Sequence, residues 1–163
     1  MNRFSLRSLL LLAVCIIIPL LVGFAGSYIT LPHITGWYAT LAKPWLNPPD
    51  WVFGPVWTIL YLLMGISLWM VAGKGLDRPI IRHGIILFAI QLLVNFLWSF
   101  IFFGLESPVG GLVTILVLFA LIIATMKAFV SVTPRASFLL VPYLAWTGFA
   151  LILNTMIVIL NWH

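Results

Sequence analysis

The chain has 163 residues, of which 64% are hydrophobic and 7% charged, and it carries a formal net charge of +5 at pH 7. A soluble domain uses about a quarter of its residues as Asp, Glu, Lys or Arg to solvate its surface, so eight Lys/Arg and three Asp/Glu exclude one here. With a mean hydropathy of +1.23 this is an integral membrane protein, whose basic residues orient it in the bilayer and are not a nucleic-acid surface.

The first apolar run spans about 9–31, behind Arg3 and Arg7. Its start, "LLLLAVCIIIPLL", imitates a signal peptide or a lipoprotein box. The run continues past Pro19 far enough to cross a bilayer, which predicts a retained helix. Cys15 is the single cysteine, which rules out an internal disulfide and a cysteine metal cluster and reads as a small buried apolar group. Gly23 and Ser27 form a small-xxx-small pair, suited either to a dimer face or to close packing inside one protomer.

Residues 32–50 form a Trp/Pro-rich loop. The stretch "WYATLAKPWLNPPDWVFGPVWTILY", from Trp37 to Tyr61, holds four tryptophans and four prolines in 25 residues. Pro44, Pro48 and Pro49 stiffen it. It reads as a rigid lid carrying Trp37, Tyr38 and Trp45, or as an interfacial aromatic belt.

The second span, about 51–72, places Trp57, Tyr61 and Met64 on one helix face. The third, about 83–104, carries Gln91, Asn95, Trp98 and Ser99 at near-helical spacing. Only "LESP" separates it from the fourth, about 109–129, so the two form a tight hairpin. The fifth, about 136–160, has a stripe of Tyr143, Trp146, Ala150, Leu153 and Asn154. Amides in a membrane need partners, so these stripes are expected to face the bundle interior. They serve either as interhelical hydrogen bonds or as the wall of a cavity for a large, flat, apolar ligand. Trp57 and Trp146 lie too deep in their spans for an interfacial belt, which favours the cavity.

Five spans put Arg3, Arg7, Lys74, Arg78, Arg82, Lys127 and Arg135 on one side, with only Lys43 on the other. The positive-inside rule makes the N-terminus cytoplasmic and sets the Trp/Pro loop and the C-terminus on the opposite side. Asp50, Asp77 and Glu106 fall at span ends, which argues against ion-coupled transport. His33, His83 and His163 are also at ends, which argues against a zinc or bis-histidine haem site. The whole chain, 1–163, reads as one all-α domain of five transmembrane helices.

The long Trp/Pro motif, with "VNFLWSFIFFG" in the third span and "VPYLAWTGFALILN" in the fifth, resembles the TspO family of tryptophan-rich sensory and translocator proteins. The resemblance covers the whole chain. It implies a five-helix membrane bundle, often a homodimer, that binds tetrapyrroles such as protoporphyrin IX and, in many members, sterols. Synthetic isoquinoline carboxamide and benzodiazepine ligands enter the same pocket, under the first loop. Tyr61, Asn95, Trp146, Ala150 and Leu153 match its pocket positions. Trp57 and Trp146 match tryptophans linked to light-dependent porphyrin breakdown in some bacterial members. Trp45, Trp98 and Tyr143 complete the expected ligand-binding set. No metal is implied, and protoporphyrin IX enters as ligand with no cofactor required.

The family commonly has tryptophan where Leu46 stands, with Trp45 one position earlier. The end of the fifth span, "LNTMIVILNWH", lacks the Tyr and basic residue of the animal sterol motif. Three functions compete: a porphyrin receptor or carrier, an enzyme using tryptophan redox chemistry, and a scaffold for other membrane proteins; a small-solute channel is a distant fourth, because no ring of charged or carbonyl ligands can be identified.

Overall fold

The computed structural model describes residues 5–162; Arg3 and His163 lie outside the described residues. Among these residues every regular element is helical, and five helical stretches are long and apolar enough to span a bilayer: Leu6–Ile34, Asp50–Ala72, Pro79–Gly104, Pro108–Val130 and Pro134–Leu160.

Helix α1 (Leu6–Ile34) starts at Ser5, whose hydroxyl accepts from the Ser8 N–H. It runs unbroken through Pro19. A proline has no N–H for the carbonyl four residues back, so Cys15 C=O has no helical partner. Gly65 of α3 (Asp50–Ala72) lies at this place: a Cβ on it would come within 2.6 Å of Ile16 Cα and 2.8 Å of Cys15 O. Lacking one, it lets the two backbones touch.

Between α1 and α3 lies the short helix α2 (Trp37–Thr40). Helix α4 (Pro79–Ser99) begins with proline at its first turn, where the missing N–H costs nothing. That start lies one turn earlier than the charges at Arg78 and Arg82 suggested from sequence. At its other end α4 loosens into a π-helical turn, Phe100–Gly104, with the Leu105 N–H donating to Phe100 O at 2.9 Å. Phe102 and Phe103 within this turn are both buried. Glu106 takes a φ of +51° to reverse the chain into α5 (Pro108–Val130), which Ser107 caps through the Gly110 N–H at 3.1 Å.

The fifth span is not one continuous helix. It divides at Leu140 into α6 (Pro134–Leu139) and α7 (Val141–Leu160). Pro142 has no N–H for Phe138 O, which explains the break.

The helices form a ring in which α1 packs on α3 and α4, α4 on α5, and α5 on α7. At the basic end α6 closes the ring against α3, where Ser67 Oγ donates to Ala136 O at 2.7 Å. Over their whole length α3 and α7 touch little. The bundle is shut at one end and splayed at the other, and this splay positions the site.

Candidate functional site

The Trp/Pro loop is fastened across the splayed end. Ala42 and the Asn161 side-chain amide bond each other twice, N–H to Oδ1 at 3.0 Å and Nδ2 to the Ala42 carbonyl at 2.9 Å. Tyr38 is buried against Phe102 and Phe103, and its hydroxyl donates to Asn47 Oδ1 at 2.8 Å. Burial and the nearby Asp50 charge push the Tyr38 phenol up to about 12. Trp37 meets Phe102 edge-on at 5.6 Å.

Beneath this loop lies a cavity of about 390 Å³, within the range of small-molecule sites. Helix α3 gives it Phe53, Trp57 and Tyr61; α4 and the π turn give Trp98, Phe102 and Phe103; α7 gives Ala150, Leu153 and Asn154. Helix α1 supplies Gly23, Gly26, Ser27 and Thr30. The glycines set the shape, because a Cβ on Gly23 would fall 2.3 Å from the Tyr61 ring. Phe24 and Leu31 of α1 and Gly54 and Thr58 of α3 line the cavity while also being exposed on the outside of the bundle. The cavity thus opens sideways, between the loop-end halves of α1 and α3.

Trp57 stacks on Tyr61 with centroids 5.5 Å apart and planes 27° from parallel. Tyr61 is the first link of a buried polar chain. Its hydroxyl donates to Asn95 Oδ1 at 2.6 Å, Asn95 Nδ2 donates to the Tyr143 hydroxyl at 3.1 Å, and Tyr143 donates to Gln91 Oε1 at 2.9 Å. Three helices are joined through these side chains, and Gln91 Nε2 also donates to Met64 Sδ at 4.0 Å, so the chain fixes the Tyr61 ring and, through it, Trp57. Asn154 does the same higher up, accepting from Trp98 Nε1 at 3.4 Å and donating to Pro108 O at 2.8 Å.

Of the residues singled out from sequence, Trp57, Tyr61, Trp98, Ala150 and Leu153 come together in the cavity wall. Asn95 and Tyr143, 2% and 0% exposed, lie one layer behind it in the polar chain. Trp146 is not in this wall. It lies in the α3–α7 seam with Val56, Leu60 and Phe149, and meets Phe53 edge-on at 6.0 Å. Its ring packs against α3 in that seam instead of turning towards the cavity. Trp45 sits in the loop at 87% exposure and is likewise outside the wall.

Sequence reasoning missed Phe53, Phe102, Phe103 and the contribution of α1. The run "FIFFG" carried a signal for Phe102 and Phe103, but the π turn that holds them did not show in the spacing, and Phe53 had no such signal. Gly23 is packed on Tyr61 of its own chain, and Ser27 faces the cavity. Among the described residues no three His, Cys, Asp or Glu side chains converge, and His33 Nδ1 bonds its own helix at Ile29 O, 2.8 Å away.

A multi-pass bundle of five membrane-spanning helices, closed at one end and holding an aromatic cavity at the other, defines the class of protein. The chain belongs to the TspO/MBR family, whose model matches residues 15–160. It is 50% identical over 155 residues to the tryptophan-rich protein TspO of Chlorobaculum tepidum, covering 95% of this chain and 98% of that one. With the TspO of Archaeoglobus fulgidus it shares 42% over 156 residues, 94% and 99% of the two chains. The translocator protein of Homo sapiens is 39% identical over 139 residues, 83% of this chain and 81% of that protein. Membership of this family points to a membrane receptor or transporter role.

Proposed function

We propose that the protein is a membrane receptor or carrier for tetrapyrroles, with protoporphyrin IX as the representative ligand, held in the cavity beneath the Trp/Pro loop. The observation that carries this reading is the wall itself: Phe53, Trp57, Trp98, Phe102 and Phe103 around an apolar space of about 390 Å³. Flat macrocycles bury large apolar area and gain further from offset aromatic contacts. Sterols and benzodiazepine-type ligands are secondary candidates for the same space. The basic end faces the cytoplasm on this reading, by the positive-inside rule, and the homodimer expected from the family is carried as part of the proposal.

Carriage is preferred to light-driven breakdown because only Trp57 of the two candidate redox tryptophans lines the cavity. The test is titration of the detergent-solubilised protein with protoporphyrin IX, followed by tryptophan fluorescence. Saturable quenching is expected, weakened about five- to thirtyfold by Trp57→Leu as an aromatic contact and its area are lost. Quenching that never saturates, or that Trp57→Leu leaves unchanged, overturns the reading. Illuminating the same samples and following absorbance separates the enzyme: a product formed only by the wild type replaces carriage with turnover.

A further inference from the structure

Most polar groups in the cavity wall are committed to the fold. The Thr58 hydroxyl donates to Gly54 O at 2.9 Å, Tyr38 to Asn47 and Tyr61 to Asn95, and the Asn154 amide is held by Trp98 and Pro108. Asp50 is different. It lines the cavity at the first turn of α3, and its carboxylate has no hydrogen-bond or ion-pair partner among the described residues. No Lys or Arg shares the wall. Lys43 is engaged in the loop, its Nζ 4.8 Å above the Tyr38 ring and 3.4 Å from Ala39 O.

The single formal charge among the lining residues is therefore negative, exposed at the cavity mouth, and offset only by the N-terminal end of the α3 dipole, with no side-chain counterion. Ser27, Thr30 and Ser99 add hydroxyls that likewise make no side-chain hydrogen bond with the described residues. Hydroxyls accept or donate, whereas the carboxylate only accepts. An edge bearing hydrogen-bond donors, or no charge, is complementary to this set, and a carboxylate is not.

We propose that Asp50 determines ligand specificity at the cavity mouth, favouring flat ligands whose edge there is neutral or cationic and disfavouring carboxylates. This rests on the cavity being the tetrapyrrole site. It adds that a dicarboxylate porphyrin binds against electrostatic resistance, with its acidic edge turned from Asp50, and that the neutral form of the same macrocycle binds better.

The test compares protoporphyrin IX with its dimethyl ester, which removes both charges and keeps the ring. Both are titrated into wild type, Asp50→Asn and Asp77→Asn in uncharged detergent at low and high salt. Asp77 lies in the exposed α3–α4 loop at the far end of the bundle, so its substitution makes the same change in net charge elsewhere.

At low salt the ester is expected to bind wild type more tightly than the diacid. Asp50→Asn is expected to tighten the diacid about three- to tenfold while moving the ester by less than about twofold, the size of a like-charge repulsion near water. High salt shrinks the difference and Asp77→Asn does not reproduce it. The inference is overturned if Asp50→Asn shifts both ligands equally or neither, or if Asp77→Asn has the same effect. In those cases saturable binding still upholds the cavity. If neither porphyrin saturates the wild type, the cavity reading fails and takes this inference with it.

Discussion

Gly23→Ala is a one-carbon change whose consequence can be worked out from distances. The added Cβ would lie 2.3 Å from Tyr61 Cε2 and 2.5 Å from Cδ2, so one of the two groups must move. Tyr61 is not free to do so. Its ring stacks on Trp57 and its hydroxyl is held by Asn95 at 2.6 Å. Overpacking costs about 1–3 kcal/mol, and disturbing an interhelical hydrogen bond in a membrane protein about 0.6 kcal/mol. Alanine returns up to about 1 kcal/mol of helix propensity. The net is a loss of about 1–2 kcal/mol, which lowers Tm by roughly 2–8 °C for a chain of this size. The single cysteine, Cys15, is 4% exposed, so a thiol-reactive fluorogenic dye reports unfolding directly. In a Tyr61→Ala background the same substitution meets no ring, and its penalty is expected to vanish or reverse. An equal penalty with and without Tyr61, or a Gly23→Ala protein as stable as wild type, refutes the claim that this glycine makes room for the ring.

Tyr143→Phe removes a hydroxyl bonded to both Asn95 and Gln91, whereas Tyr61→Phe breaks one bond at the end of the chain. The first should cost about 1–3 kcal/mol and the second about half of that, read by the same Cys15 melt. Gly54→Trp is expected to fold normally, since a Cβ there meets nothing within 4 Å. It should nevertheless weaken protoporphyrin binding at least about tenfold by filling the lateral opening, a steric loss of contact area of the kind that sets ligand affinity. For Tyr38, burial and the charge of Asp50 raise the phenol from the ordinary 10.0 to about 12. The loop's contribution is therefore intact below pH 10 and is lost as the pH climbs towards 12, by up to ~3 kcal/mol. Protease cleavage of the loop should accelerate across that window in wild type, and Tyr38→Phe should flatten the profile.

How much of this was legible before folding varied by feature. The five spans were visible because a bilayer imposes a length and an apolar composition on every helix that crosses it. The stripes on α3 and α4 were visible because a buried amide has to face a partner, and Gln91, Asn95 and Tyr61 do so. Helix α1 was opaque: it is apolar nearly all round, so nothing in its periodicity marked Gly23 or Ser27 as wall. The break at Leu140 was signalled by Pro142 alone, and a proline that kinks a helix looks like one that a helix tolerates, as Pro19 does. Trp146 shares a face with Ala150 and Leu153, but a shared face does not say which neighbour a ring will meet: it packs on Phe53, Val56 and Leu60 in the α3–α7 seam.

The central claim is that the aromatic space bounded by Trp57, Trp98 and Leu153 is where the ligand sits. The most direct measurement is an experimental structure of the protein saturated with protoporphyrin IX. The account predicts the macrocycle against Trp57, beneath the loop tied by Ala42 and Asn161 and bounded by α1, α3, α4 and α7. Density confined to the seam at Trp146, or to the outer surface of the bundle with the cavity empty, would contradict it.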